Sequence, residues 1–194
     1  MTHVLDNRAR ATRFRMLLWA SYLVAFGAAF LAHHVLMTYG LSPGDGGVLK
    51  PLAERIAVGM FVLVIGLCVC IGMTLYAPAY VLRLGLNGQT VVIETLTATG
   101  LGFQTYKLGA ADIQSAKYYH GRFMARRPSE GVGRTIDLEV DAPFITLRFR
   151  QQFLPFVLDL QAKRIDRKVL AQLAPKAVAA WRRDRPMPSW AWNR

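Results

Sequence analysis

Histidine and cysteine are the residues best equipped here for metal, haem or nucleophile chemistry, and their spacing argues against each use. His33 and His34 are adjacent. Neighbouring helical residues point about 100° apart, so the two cannot clamp one ion together. A haem would need another axial ligand, and the second apolar run, 56–82, contains no His. His120 stands beside Tyr118 and Tyr119 with no carboxylate next to it in the chain, and reads as a surface residue. Cys68 and Cys70 form a lone C-x-C inside an apolar run, without the second ligand pair of a zinc site. They read as small buried hydrophobes, and no disulfide is expected. The GLG at 100–102 lies between strand-like segments rather than at the opening of a helix, so it is no nucleotide fingerprint. No nucleophile elbow, phosphate loop or HExxH helix occurs, and the carboxylates are scattered singly. The expectation is a non-enzymatic protein with no catalytic residue, metal, cofactor or small-molecule substrate.

Basic residues offer a second chemistry. Arg122, Arg126, Arg127 and Arg134 form one cluster; Lys163, Arg164, Arg167 and Lys168 form another, in a chain of net charge +12. Nucleic-acid binding would interleave such clusters with exposed aromatics, so no nucleic-acid partner is expected. Near a membrane each basic residue gains about 1 kcal/mol from anionic headgroups. The clusters are therefore candidate contacts for lipid or for a protein partner, against the alternative of a solvated face.

The elements that must carry these residues divide the 194-residue chain in two. Hydrophobic residues make up 53% and mean hydropathy is positive. A high apolar fraction with a basic surplus points to a membrane protein whose charge faces the cytoplasm. Residues 16–39 and 56–82 contain no formal charge. At about 1.5 Å per residue, each spans a hydrocarbon core of about 30 Å. The first is too long for the core of a cleaved signal peptide, so a retained span is expected. Residues 1–15 hold Arg8, Arg10, Arg13 and Arg15 against Asp6, the Gly- and Pro-rich connection 40–55 is neutral, and residues 83–194 hold 18 basic against 9 acidic residues. The positive-inside rule then puts both termini in the cytoplasm and the connection outside. Arg outnumbers Lys 18 to 6, a bias that fits a GC-rich bacterium and its inner membrane. Trp19, Tyr22, Tyr39, Tyr76 and Tyr80 are placed for interfacial anchoring.

Two antiparallel spans should pack as a hairpin. Ser21, Ala25, Ala28 and Ala32 form a stripe of small residues on the first, and Gly59, Gly66 and Cys70 form one on the second, with Thr74 continuing it. Small residues allow close approach where lipid supplies no hydrophobic drive.

After Leu82 the pattern changes period. VLRLGL alternates, Asn87-Gly88 signals a type I′ hairpin, and QTVVIETLT resumes with β-branched residues. Further strands are predicted at 103–107, 113–119, 135–140, 144–150 and 156–160, with a polar loop over 121–134. In 144–150, Ile145, Leu147 and Phe149 share one face. Asp166 can cap a helix stacking Ile165, Val169 and Leu173, Pro175 interrupts it, and a second piece runs to Asp184. The 186–194 tail, with Trp190 and Trp192, is too Pro-rich to continue it, and its indoles are expected to dock on protein or lipid. This layout, and in particular TATGLGFQTYKLGAADIQSAKYY (97–119), resembles bacterial membrane-anchored pleckstrin-homology-like domain proteins over about residues 80–185. It is also similar in layout to small mitochondrial membrane assembly factors. The resemblance implies a two-helix membrane hairpin plus a small antiparallel β domain over 83–185, a barrel or sheet with a C-terminal helix, although the long 121–134 loop also fits a simpler open sheet. Two spans are too few for a transport path and no intramembrane charge marks one, so the expectation by elimination is an accessory subunit or assembly factor of a larger membrane complex, or alternatively a module that binds anionic lipid.

Overall fold

The computed structural model describes residues 2–42, 44, 47–127, 136–162 and 164–185, with the backbone alone for 123–127 and 136–140. The chain forms two compact units: residues 12–77 with 97–102, and the segments up to 11, 78–96 and from 103 onward.

The first unit is a pair of long helices, α1 (Ala11–Thr38) and α2 (Leu52–Tyr76), both long and apolar enough to cross a membrane. Helix α1 starts five residues before the charge-free run, because Arg is a good helix former and no breaker stands between Ala11 and Met16. The helices pack as a hairpin on small residues. Ser21 and Ala32 on α1 and Gly59 and Gly66 on α2 are buried, and Ala25, Ala28 and Cys70 are half-buried. A Cβ on Gly66 would lie 2.3 Å from Ala28 Cβ and 3.4 Å from Ala25 Cα; one on Gly59 would lie 3.3 Å from the Ala32 carbonyl oxygen. Arg55 donates to the Leu36 carbonyl at 2.7 Å, and Thr74 donates to the Tyr22 hydroxyl at 3.4 Å, tying the two ends of the pair.

Helix α2 stops at Tyr76, short of the predicted end at Leu82. Pro78 lacks the N–H that another turn would use. Val81 and Leu82, apolar like the helix before them, are fully buried strand residues of the second unit.

In that second unit, β2 (Val81–Asn87) and β3 (Thr90–Leu96) form the predicted hairpin around Gly88. Its turn is not type I′. Asn87 pairs with Thr90, leaving Gly88 and Gln89 as the two-residue loop, and Gly88 alone of the two has positive φ (61°). Type I′ needs positive φ at both positions, whereas Gly in the first position alone is the type II′ pattern. Strand β4 (Phe103–Gly109) pairs with β3. On the other side, β2 pairs with a strand that the sequence pattern did not show, β1 (Thr2–Asp6). With β10 (Arg164–Ile165) these make a five-stranded antiparallel sheet of order β10-β1-β2-β3-β4.

Strands β5 (Ile113–Tyr119), β8 (Phe144–Phe149) and β9 (Phe156–Asp159) form a three-stranded sheet. Ile145, Leu147 and Phe149 all point inward from β8 as the alternation requires. The predicted 121–134 loop contains a strand, β6 (Arg122–Arg127), paired with β7 (Ile136–Asp141); an extended segment beside β7 satisfies edge N–H and C=O groups that a loop would leave open. Residues 128–135 lie outside the described residues. Between Tyr80 and Val157 there is a single parallel bridge. Among the described residues the sheets do not close into a barrel, so the structure is the open-sheet alternative.

The core is filled by Val4, Leu5, Ile93, Leu147, Phe149 and Leu158, among others, with Phe149 and Phe156 edge-to-face at 5.8 Å. Two C-terminal helices complete it. Asp166 caps α3 (Arg167–Leu173), accepting from the backbone N–H of Lys168 and Val169 at 3.0 and 3.1 Å. Pro175 opens α4 (Pro175–Asp184) at a position where its missing N–H costs nothing, and Ala177, Val178 and Trp181 face the core.

Candidate functional site

The backbone of β5 ends at Tyr119 and turns sharply through Gly121. A Cβ there would lie 2.0 Å from the Ala142 carbonyl oxygen, and φ is +59°, so only glycine fits. The turn sets Tyr119 opposite Phe144 in register, and their rings stack at 4.9 Å with 14° between planes. The last turn of α4 adds Asp184. Together Tyr118, Tyr119, His120, Gly121, Phe144 and Asp184 line an open cleft of about 380 Å³.

Its polar groups are mutually committed. The Tyr118 hydroxyl donates to Asp184 Oδ2 at 2.6 Å, and the Arg122 guanidinium lies 3.8 Å from Asp184 Oδ1. Burial, with the adjacent Asp184 carboxylate, pushes the Tyr118 phenol up to about 12. The Tyr118 hydrogen bond holds the Asp184 carboxyl below its ordinary value, helped by the charges of Arg122, His120 and Arg185. His120 Nδ1 accepts from the Arg122 backbone N–H at 3.2 Å. Arg185 pairs with Asp141 beside the cleft. At neutral pH the phenol is therefore protonated and the carboxylate ionised, and that charge is already answered from several sides. What the cleft leaves open is a stacked aromatic face, suited to receiving an apolar or planar group.

His120 is exposed, as its chain neighbours suggest, and lines the cleft with a carboxylate: Asp184 arrives from a helix 64 positions away, which adjacency in sequence cannot show. Tyr80 departs from expectation. Placed by sequence as an interfacial anchor, it is 7% exposed inside the second unit. Asn7 Nδ2 donates to its hydroxyl at 2.7 Å, and that hydroxyl donates to Asp159 at 3.0 Å, a carboxylate also paired with Arg10. Burial, then the Asp159 charge, raises the Tyr80 pKa well above the ordinary phenol value. This network, with the two-pronged Arg8–Glu94 pair, fastens the chain just after β1 to the sheet. THVLDN holds two adjacent apolar residues and no alternation, so its pattern could not have signalled it.

The structure separates the basic residues singled out by sequence. Arg122 faces Asp184, and the Arg167 guanidinium lies over the Trp181 ring at 5.4 Å. Arg164 and Lys168 are exposed. Arg126 and Arg127 are placed in β6 by backbone only, opposite Asp137 and Ile136. Arg134, Lys163, Trp190 and Trp192 lie outside the described residues. His33 and His34 are exposed on α1, Cys68 is exposed and Cys70 half-buried on α2, and both thiols are free. Among the described residues no three His, Cys, Asp or Glu side chains gather into a metal-binding group.

Compared with protein families, with curated proteins and with solved structures, the chain has no significant match.

Proposed function

We propose that the chain is a two-span integral membrane protein that works by binding rather than by catalysis, as an assembly factor or accessory subunit of a larger membrane complex. The observation that carries this reading is the outward-facing apolar surface of the hairpin. In the most apolar windows of α1 and α2 only 17% and 11% of residues are buried, and Leu23, Phe26, Phe30 and Phe61 all face outward. In water such a surface would aggregate; in a bilayer it meets acyl chains or other spanning helices. Two spans carrying no charge between Met16 and Tyr39 or between Ile56 and Leu82 offer no ion path, which favours binding over transport.

The orientation with both termini cytoplasmic draws support from β1. Residues before the first span hydrogen-bond in register with β2, which follows the second, and sharing one sheet supports the two flanks lying on one side of the membrane. The positive-inside count supports the cytoplasmic side, and the Arg-over-Lys bias supports the inner membrane of a bacterium. The likeness to pleckstrin-homology-like domains rests on the antiparallel sheets and the C-terminal helices, and the open sheets are where the chain departs from that pattern. Lipid binding through the exposed Arg164 and Lys168 is the second reading.

Extraction of the full chain in mild detergent should yield a discrete heteromeric assembly of fixed stoichiometry. Tyr119→Glu, in the cleft, should weaken it, and Gln114→Glu, on an exposed edge of β5, should not. A chain that migrates alone, and that binds anionic but not neutral vesicles through Arg164 and Lys168, overturns the subunit reading in favour of the lipid module.

A further inference from the structure

The connection between β3 and β4, residues 97–102, groups with the helices. Tyr22 donates its hydroxyl to the Ala98 carbonyl at 2.9 Å. A Cβ on Gly100 would lie 2.8 Å from Leu18 Cδ2 and 3.9 Å from Arg15 Cγ, and Leu18 is fully buried. The loop is therefore held alongside α1 between Arg15 and Tyr22. At its tip Leu101 is 75% exposed, between two glycines. We propose that this loop lies in the membrane–water interface and inserts Leu101 at the boundary of the acyl chains as a lipid anchor. The inference rests on the membrane reading above.

Depth is the first argument. Counted back from Thr38 at ~1.5 Å per residue, the ~30 Å hydrocarbon thickness is filled at Trp19 of α1. The edge of the hydrocarbon therefore falls at the level of the loop. The same level carries Trp19, half exposed and edge-to-face with Tyr22 at 5.8 Å, together with outward-facing Met16 and Leu17. Trp and Tyr collect at this depth. Arg13, exposed and six residues before Trp19, is within reach of phosphates.

The second argument is hydrogen-bond satisfaction. A loop entering a layer poor in water must answer its own polar groups. Here Thr97 N–H donates to the Gly102 carbonyl at 3.1 Å, Gly100 N–H to the Thr97 carbonyl at 2.9 Å, and Gly102 N–H to Thr97 Oγ1 at 3.2 Å. The Thr97 and Thr99 hydroxyls bond each other at 3.3 Å, and the Ala98 carbonyl is taken by Tyr22. Three of the loop's N–H groups are thereby answered within it, which lowers the cost of entering that layer, and an exposed leucine would gain nothing in water.

The test uses the full chain in phosphatidylcholine vesicles, labelled with an environment-sensitive fluorophore at one cysteine at a time. Cys70→Ala leaves Cys68, exposed on α2, as a marker within the bilayer. Cys68→Ala with Cys70→Ala accepts Leu101→Cys, or Lys107→Cys as an exposed marker on β4. Nitroxide lipids labelled high on the acyl chain should quench the label at 101 several-fold more than deep nitroxides do, and aqueous iodide should quench it several-fold less than the label at 107. If position 68 is quenched by lipid but 101 is quenched by iodide as strongly as 107, the anchor is wrong and the membrane reading stands. Protection of 101 from both quenchers means that protein covers it, and also overturns the anchor. Absence of lipid quenching at 68 removes the membrane reading and the anchor with it.

Discussion

The two units of this chain dispose of apolar side chains in opposite senses. In the β unit most of the large ones point inward, with Phe153 at 91% exposure the chief exception: Phe149 retains 1% of its surface and meets Phe156 edge-to-face. In the helical hairpin the large ones point outward, with Phe26 at 74%, and the contact surface is built from Ser, Ala and Gly. Burial away from water drives the first kind of packing. On the proposed membrane reading, lipid as apolar as leucine removes that drive, and the hairpin is held by close van der Waals approach. Residue size thus has opposite meanings in the two halves: bulk stabilises one interior and disrupts the other.

Deleting Thr2–Asp6 should separate the two regimes most sharply. It takes Val4 and Leu5, side chains worth about 1.5–3 kcal/mol each when fully buried, and exposes the facing edges of β2 and β10. Against a typical domain stability of about 5–15 kcal/mol, the β unit should lose its cooperative unfolding transition while helical circular dichroism persists. Simultaneous loss of both signals would show that the hairpin has no independent integrity.

A matched pair of truncations comes next. Phe149→Ala should cost about 3–5 kcal/mol in denaturant unfolding of the reconstituted chain. Phe26→Ala should stay within about 0.5 kcal/mol if lipid, as proposed, fills the space. Similar losses would mean that Phe26 is covered by protein.

Gly66→Leu reverses the sign of the size effect. With even a Cβ only 2.3 Å from Ala28 Cβ, the larger side chain should force the helices apart at about 1–3 kcal/mol, seen as a longer distance between spin labels at Phe30 and Val64. Ile65→Leu, one position away and exposed, should leave that distance unchanged. Equal responses would make the small-residue stripe accidental.

The smallest effect is electrostatic and confined to the β unit. The folded Tyr118 phenol lies at about 12, above its ordinary 10.0. A raised pKa gives a contribution that is complete below about pH 10 and lost as pH climbs toward 12. Asp184 has the opposite sign: its pKa is lowered, so its contribution is present above the ordinary 3.8 and fades as pH falls below it. Tyr118→Phe should remove the latest-titrating component of the phenolate absorbance curve attributable to the cleft and raise the Asp184 pKa measured by carboxyl NMR. An unchanged Asp184 pKa would show that the hydrogen bond is not what lowers it.

Sequence by itself determined the features written in local periodicity and turn chemistry. Two charge-free runs gave two apolar helices, Gly88 located a hairpin, the alternation in FITLRF assigned its buried face, and Asp166 with Pro175 marked the junctions of the C-terminal helices. Each of these is decided within a few residues by backbone preference or by side-chain spacing. Only the tertiary structure decided what those surfaces meet. It showed that β1 completes a sheet with β2 and β10, that Val81 and Leu82 leave the helical run for a protein core, and that Tyr80 is buried against Asn7 and Asp159. It also brought Tyr118 to Asp184 across 66 positions and laid residues 97–102 along α1. The physical reason is that hydrophobicity records how strongly a side chain avoids water and is silent about the refuge: a valine bound for lipid and one bound for a sheet interior have the same composition, and only long-range pairing tells them apart.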